Sequence, residues 1–401
     1  MTRRIVTVLG IVLALAVPTA CSHDGKTTGV NSGGGQAAGG STTSSSVPVD
    51  GSSSSSPDST AALTSPSSTV TTVKGTAAGS GPASTATTRP ATPPGPVPDP
   101  RDAASGAFIA GDKGAALASQ PGGAITGRIR AGVAMAVDAR QGAWAHVLTP
   151  CENHLWVKVA DGRIAPTADI VIDAGHGGPE SGAVGQGGLT EAELNLAVAR
   201  MTVEALAADG VTAALARSGD YRQTLASRVA VATAMHPKAF LSIHHNAEPD
   251  GSRPGPGTET YYQTGKDVPT LRSAASKRLA GLVYEEVVRA LSAYSADWVA
   301  DRDAGAKYRL GDSGNDYYGV LRLSAAAGVV GSLAELAFIS NPSEEALLKR
   351  DDVRRAEAAA VARGIVRFLR TEDPGSGFVV PYPRTEPAGG GGGTQGCVDP
   401  T

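Results

Sequence analysis

The sequence has little excess charge of either sign and lacks an apolar run long enough to cross a membrane. Its 401 residues carry 35 basic and 38 acidic side chains, for a net charge of −3. This balance excludes the basic surface through which proteins bind nucleic acids and other polyanions. The apolar run near the N-terminus, residues 5–17, has thirteen residues, whereas a membrane span needs about 20. We therefore expect no nucleic-acid partner and no transmembrane helix.

The N-terminal residues follow the order of a secretory signal. Two arginines precede the apolar run, and small residues then lead to Cys21, which is the order expected of an exported protein. Cys21 resembles the lipid-modified cysteine of bacterial lipoproteins, although Pro18 stands where that family usually has Leu. We predict a signal peptide over residues 1–21 and a lipid on Cys21. The protein would then lie at the outer face of the cytoplasmic membrane, or in the cell wall if it is secreted.

Cysteine is scarce, with three residues in the whole chain. Cys151 and Cys397 remain after Cys21, and in an oxidising compartment a spare pair is more often bridged than free. We predict a disulfide between them. Two unpaired thiols are the alternative, because the sequence does not reveal whether the two α-carbons come within bridging distance.

The composition changes along the chain and divides it into segments. Residues 22–105 contain almost no large apolar side chains, so they bury too little surface to offset chain entropy and are predicted to be a disordered linker. Residues 106–165 show short alternating apolar runs between turn residues, which predict a small all-β unit. Trp144 and Trp156 lie in a pattern that resembles bacterial SH3-type domains. Residues 373–401 read as a flexible tail that contains Cys397.

Residues 166–372 alternate between strand and helix patterns. This alternation predicts an α/β domain with a mostly parallel sheet and flanking helices. A capping box at Thr190 and Glu193 predicts one helix start, and Asn341 before Pro342 predicts another. The candidate strands are residues 169–172, 211–215, 239–243, 258–262 and 329–336.

Two histidines and one glutamate are placed where such a sheet binds ligands. His176 and His244 each follow a candidate strand, and the carboxyl ends of parallel strands meet at one crevice. Glu191 begins the helix that opens at the same edge. Two histidines and a glutamate form a known ligand set for catalytic zinc. Alone, each histidine could instead be a hydrogen-bonding loop residue, and Glu191 a solvated acid of the first helical turn.

Glu335 lies near the end of the apolar run at residues 329–336. A carboxylate in so apolar a segment is costly to bury unless it is paired or has a chemical task. Beside a metal centre, it could take a proton from an attacking water and return it to a leaving nitrogen. The alternative is a buried acid that hydrogen-bonds to the backbone.

Together these motifs resemble the zinc-dependent N-acetylmuramoyl-L-alanine amidases of type 3. The resemblance is carried by DAGHGG at 173–178, TEAELN at 190–195, SIHHNA at 242–247, GTETYY at 257–262 and AELAFISNP at 334–342. It implies a six-stranded, largely parallel sheet and one zinc ion held by His176, Glu191 and His244, with Glu335 as the catalytic residue. It also implies the substrate, the amide between N-acetylmuramic acid and the L-alanine of the peptidoglycan stem peptide, and a role in cell-wall remodelling or division.

Several further residues are weaker candidates. In SIHHNA the resemblance assigns the metal to His244, and His245 is the second choice. Asn246 and Arg322 could bind the stem peptide, and each could equally hold a loop. Three charged residues are expected to form charge pairs that fix loops near the site, namely Arg217, Asp220 and Arg228.

Two other functions remain open from the sequence. A relative that had lost catalysis could act as a binding or regulatory protein, and a zinc peptidase that cuts within stem peptides would share the same metal chemistry. We also hypothesise that residues 300–317 lie over the crevice and gate it. The chain shows no exposed apolar stripe beyond its predicted core faces, so we expect a monomer.

Overall fold

A computed structural model of the chain describes residues 106–248, 257–294, 305–380 and 392–401. The predicted signal peptide, Cys21 and the linker 22–105 lie outside the described residues. So do residues 300–304 of the segment that we expected to gate the crevice.

Residues 106–165 form the predicted all-β unit, a seven-stranded sheet in which every pairing is antiparallel. The strand order is β3-β2-β6-β5-β4-β1-β7, and a 3₁₀ helix, Val159–Asp161, precedes the last strand. The resemblance to SH3-type domains stays a prediction. The strands are β1 Gly106–Ala110, β2 Ala115–Ala118, β3 Ile125–Ile129, β4 Ala134–Gln141, β5 Trp144–Leu148, β6 His154–Lys158 and β7 Gly162–Ala165.

A second, six-stranded sheet follows, with the order β12-β11-β13-β10-β8-β9. Four of its pairings are parallel and one, between β11 and β13, is antiparallel. The sheet is therefore mixed, and counting both sheets the antiparallel pairings predominate. Its strands are β8 Ile170–Ala174, β9 Ala213–Leu215, β10 Ala239–Asn246, β11 Glu259–Tyr262, β12 Gly305–Lys307 and β13 Gly331–Phe338.

Helices cover both faces of the six-stranded sheet. Apolar residues of α1, α3 and α6 share one core with β8, β10 and β13, and α2 and α4 share another with β1 and β4 of the first sheet. The Thr190 hydroxyl accepts a hydrogen bond from the Glu193 amide at 3.3 Å, which fixes the start of α1. No helix in the described ranges is long and apolar enough to cross a membrane. The helices are α1 Glu191–Ala208, α2 Leu225–Ala234, α3 Thr270–Leu291, α4 Gly319–Ala326, α5 Pro342–Leu348 and α6 Asp351–Arg370.

The C-terminal residues are held against the first sheet. Cys151 and Cys397 are joined by a disulfide, with α-carbons 5.5 Å apart. The Cys151 amide donates a hydrogen bond to Asp399 Oδ1 at 2.9 Å, and the Arg130 amide donates to the carbonyl of Pro400 at 2.9 Å. Residues 392–401 belong to the tail that the sequence predicts to be flexible, and these contacts fix their end in place.

Replacement of Cys397 by Ser should destabilise the protein. The disulfide spans 246 residues, so it removes much of the freedom of the unfolded chain, and loss of such a bond typically costs about 2–4 kcal/mol. We expect urea unfolding to show a decrease of this size in the free energy of unfolding. Reduction of the wild-type protein should give the same decrease, and a variant as stable as the oxidised wild type would contradict the prediction.

An ion-pair network joins α3 to α6 through the buried Glu286. Arg363 Nε and Arg367 Nη1 each approach a different carboxylate oxygen of Glu286 at 2.9 Å, and Arg289 Nη1 approaches at 2.9 Å from the next turn of α3. Burial acts to raise the pKa of Glu286, but the hydrogen bond from Arg363 and the charge of Arg289 outweigh it and leave the pKa below its ordinary value. The folded state therefore favours the ionised form.

This network predicts a pH-dependent contribution to stability. Because the folded-state pKa of Glu286 is lowered, its stabilisation is fully present above the unfolded-state pKa of about 4.3 and is lost as the pH falls through the folded-state pKa. Glu286→Gln should therefore be less stable than wild type at neutral pH, and the difference should narrow in acid. Glu204→Gln, at an exposed position of α1, is the control. A difference that stayed constant between neutral and acid pH would contradict the prediction.

Candidate metal centre and active site

Three side chains meet at the carboxyl ends of β8 and β10. His176 follows β8, His244 lies near the end of β10, and Glu191 is the first residue of α1. β8 and β10 are neighbouring parallel strands, so their carboxyl ends lie at one edge of the sheet. The loop after β8 returns to this edge to begin α1, which brings Glu191 between the two histidines.

The carboxylate of Glu191 faces both imidazoles. Its Oε2 lies 3.2 Å from His176 Nε2 and its Oε1 lies 2.9 Å from His244 Nδ1. One ligand atom from each residue lies within 4.8 Å of the other two. Ligands bound tetrahedrally to zinc are about 3.3 Å apart, as bond lengths near 2.0–2.1 Å require. The donor set and its spacing therefore fit a zinc ion.

Glycines create the space that these side chains occupy. A β-carbon added at Gly175 would lie 2.2 Å from the His244 ring, and one at Gly182 would lie 2.4 Å from Glu191 Oε2. His176 itself has a positive φ of 58°, a conformation that most side chains avoid and that surrounding contacts must hold. The glycines of this loop thus allow the backbone to pass close to the side chains of His244 and Glu191.

The electrostatics of the cluster favour an ionised Glu191. Burial acts to raise its pKa, but the charge of His176 and the hydrogen bonds from both imidazoles outweigh it and hold the pKa well below its ordinary value. Burial lowers the pKa of His244. Burial also acts to lower the pKa of His176, but the charge of Glu191 leaves it raised. A carboxylate and an imidazole with a free lone pair are the forms that bind a metal ion.

Two buried arginines fix the loop that carries His176. Arg217 Nε donates to the carbonyl of Ala174 at 2.7 Å, and Arg228 Nη2 donates to the carbonyl of His176 at 2.6 Å. Arg228 also pairs with Asp173 at 2.6 Å, as the sequence suggested. Arg217 differs from that expectation, because it donates its hydrogen bonds to backbone carbonyls.

Asp220 also holds this loop. Its Oδ1 accepts a hydrogen bond from the Gly178 amide at 2.7 Å. Asp220 therefore binds the backbone of the loop, whereas we expected it to form a charge pair. The side chains of all three charged residues therefore bond backbone atoms of residues 174–178, and Arg228 also forms an ion pair.

His245 points away from the cluster. Its side chain is fully buried, with Nδ1 at 2.7 Å from Asn195 Oδ1 and Nε2 at 3.3 Å from both oxygens of Glu357. Asn195 Nδ2 in turn donates to Glu191 Oε1 at 3.3 Å. His245 thus belongs to a network that supports the side chain of Glu191, and His244 is the histidine that faces the cluster. Sequence reasoning did not foresee the roles of Asn195 and Glu357.

Glu335 lies in the same cross-strand row as His244. In the sheet register, His244 on β10 is opposite Glu335 on β13, and Glu335 is opposite Glu259 on β11. Glu335 Oε2 is buried and has no hydrogen-bond partner among the residues that the structure describes. Burial, together with the charges of Glu191 and Glu259, raises the pKa of Glu335 well above its ordinary value. A buried carboxyl with a free oxygen is placed beside the metal ligands.

Glu259 is stabilised by its own partners. Lys307 Nζ lies 2.9 Å from its Oε1, the Tyr261 hydroxyl donates to its Oε2 at 2.6 Å, and Asn246 Nδ2 donates to the same oxygen at 3.0 Å. Asn246 therefore holds the carboxylate of Glu259 on β11, a contact that the sequence did not predict, and its role in binding the stem peptide stays a prediction. The pair with Lys307 could not be predicted from the sequence, because that residue lies on the short edge strand β12.

The remaining predicted residues lie on the segment that precedes β13. Arg322 Nη1 donates to the carbonyls of Asp316 and Tyr317 at 2.9 and 2.5 Å, so it holds a loop, which was also one of its expected roles. Residues 305–307 of the hypothesised gate form β12 at the edge of the sheet. Residues 308–317 form a loop in which Leu310 and Asp316 make an isolated antiparallel bridge, and the gating role stays a prediction.

A profile of the N-acetylmuramoyl-L-alanine amidase family matches residues 170–367. The protein YqiI of Bacillus subtilis is 36% identical over 196 residues, which cover 49% of this chain and 82% of that protein. The chain belongs to this amidase family. The amidase LytC of B. subtilis is 38% identical over 201 residues, which cover 50% of this chain and 35% of LytC. An endolysin of Bacillus phage SPP1 is 30% identical, over 55% of this chain and 73% of the endolysin.

Family membership accounts for the six-stranded sheet and the site at its edge. The matched region of the amidase contains β8 to β13 and all the residues that the structure gathers there, His176, Glu191, His244 and Glu335. The enzyme is an N-acetylmuramoyl-L-alanine amidase that acts on peptidoglycan. The seven-stranded sheet of residues 106–165 lies outside the match.

Proposed function

We propose that the protein is a zinc-dependent enzyme that hydrolyses the amide between N-acetylmuramic acid and the L-alanine of the stem peptide. His176, Glu191 and His244 would hold the ion through two nitrogens and one carboxylate. The observation that carries the proposal is the row that sets Glu335 beside His244, because it gives a ligand cluster a neighbouring carboxyl that can move a proton.

Different residues would hold the metal ion, transfer the proton and orient the ligand Glu191. A zinc ion, when bound, would supply a Lewis acid that polarises the scissile carbonyl. Glu335 would take a proton from the attacking water through its unpartnered Oε2 and return it to the nitrogen that leaves. The network of Asn195, His245 and Glu357 would hold Glu191 in its ligating orientation. The peptide is then released with a free amine on L-alanine.

The cellular setting is also part of the proposal. The order of charged, apolar and small residues at the N-terminus supports export, and Cys21 supports a lipid anchor at the outer face of the cytoplasmic membrane. An exported enzyme would meet peptidoglycan, and its action on stem peptides suits cell-wall remodelling or division. Peptidoglycan is then its main partner.

Product analysis tests this function against the alternative of a zinc peptidase. Purified protein is incubated with intact peptidoglycan, and the soluble products are separated and sequenced. We expect peptides with L-alanine at a new free N-terminus and glycan strands without peptide. Cleavage inside the stem peptide, with L-alanine still attached to the glycan, would overturn the proposal. Glu335→Gln, treated identically, shows which products depend on the site.

A further inference from the structure

A second group of two histidines and one carboxylate lies in the seven-stranded sheet. His146 lies on β5, His154 begins β6 and Asp138 lies on β4. One ligand atom from each lies within 4.8 Å of the other two. We propose that these three residues form a second site for a divalent transition-metal ion, with zinc as the ion that histidine and carboxylate donors accept readily.

The carboxylate of this group faces two imidazoles, as the carboxylate of Glu191 does in the first cluster. Asp138 Oδ1 lies 2.5 Å from His146 Nδ1, and Asp138 Oδ2 lies 3.4 Å from His154 Nδ1. Each carboxylate oxygen therefore faces a different imidazole, as those of Glu191 do. Both imidazoles present the same nitrogen to the carboxylate, so one cation could accept a lone pair from all three residues.

The sheet itself brings the three residues to one surface. His154 is opposite Leu148 in the register of β5 and β6, two residues along from His146, so both histidines point to the same face. The register of β4 and β5 shifts between Val137 and Ala139, which makes Asp138 the extra residue of a β-bulge. Bulges redirect side chains, and this one sets the carboxylate beside the two rings.

The surroundings suit an open metal site. The side chains of His146, His154 and Asp138 are 24, 59 and 47% exposed, so water can complete the coordination. The polar contacts that the structure gives these side chains are with one another. The ring of Trp156 lies 4.9 Å from that of His146 and limits its orientation. Because the ligands are more exposed than Glu191, we expect weaker binding than at the first cluster.

Zinc binding by the full chain tests the proposal. Equilibrium dialysis at neutral pH should show one tightly bound equivalent and a second, weaker one. His154→Gln and Asp138→Asn, tested separately, should each weaken the second equivalent by about 10-fold or more and leave hydrolysis of peptidoglycan unchanged. Asp112→Asn, at an exposed acid between β1 and β2, is the matched control and should keep both equivalents.

Tryptophan fluorescence gives an independent readout. Cu²⁺ bound at His146 should quench Trp156, because the two rings are in contact, and this quenching should disappear in His154→Gln and Asp138→Asn. The same zinc stoichiometry and the same quenching in all four proteins would overturn the proposal. If Asp112→Asn weakened the second zinc equivalent and the quenching as much as His154→Gln and Asp138→Asn do, the binding would be unspecific, and the proposal would be overturned too.

Discussion

Replacement of Glu335 by Gln is expected to lower kcat by about 100-fold or more, the contribution of a positioned general acid or base, while bound zinc is retained. The amide of Gln keeps the size of the side chain but cannot take a proton from water. Its ligand neighbours are unchanged, because Glu335 contributes no atom to the cluster of His176, Glu191 and His244. Hydrolysis of peptidoglycan and zinc content, measured on the same preparation, check both parts.

Glu286→Gln is the matched control for this prediction. It makes the same substitution at another buried acid, 3% exposed against 8% for Glu335, but on α3 and within an ion-pair network. It should hydrolyse peptidoglycan at nearly the wild-type rate at neutral pH. Full activity in Glu335→Gln would refute the assigned role, and an equal loss in both variants would mean that burial, not chemistry, explains the effect.

Substitution of the two adjacent histidines of β10 should affect different properties, zinc binding for His244 and stability for His245. His244→Ala should lose one equivalent of zinc and all measurable activity, because removal of a direct ligand exceeds the about 10–100-fold loss of affinity that follows removal of an outer partner. His245→Gln should keep that equivalent. It should instead lower the free energy of unfolding by about 1–3 kcal/mol, since Glu357 is fully buried against His245.

Metal analysis and urea unfolding of the two variants separate these effects. The residues are neighbours in sequence and share a strand, so a general disturbance of β10 would alter both proteins alike. Loss of zinc from His245→Gln, with retention in His244→Ala, would reverse the assignment. Loss of zinc from both would indicate a general disturbance of β10 and would contradict the separate roles of the two histidines.

The α/β domain was largely predictable because its strands are apolar and its helix starts are marked. Five candidate strands correspond to β8, β9, β10, β11 and β13 within a few residues. The missed strand, β12, has three residues, Gly305–Lys307, and no apolar pattern of its own. Strand β12 forms because its backbone pairs in parallel with that of β11. The antiparallel pairing of β11 with β13 was missed since a strand pattern carries no direction.

The sequence predicted which residues meet at the candidate site but not the contacts that support them. His176, Glu191, His244 and Glu335 belong to recognisable motifs, and the structure brings them together. The bonds of Arg217 to backbone carbonyls and the pair of Glu259 with Lys307 depend on where loops turn, which local sequence does not specify. The group formed by Asp138, His146 and His154 could not be predicted either, because its geometry depends on a register shift in β4.

We propose that hydrolysis of the peptidoglycan amide depends on one zinc ion held by His176, Glu191 and His244. The most direct test removes metal from the full chain with a chelator, and then follows peptide release as zinc is returned in known amounts. We predict that the metal-free protein is inactive and that activity returns fully with the first, tightly bound equivalent. Undiminished hydrolysis by the metal-free protein would contradict the dependence of hydrolysis on zinc.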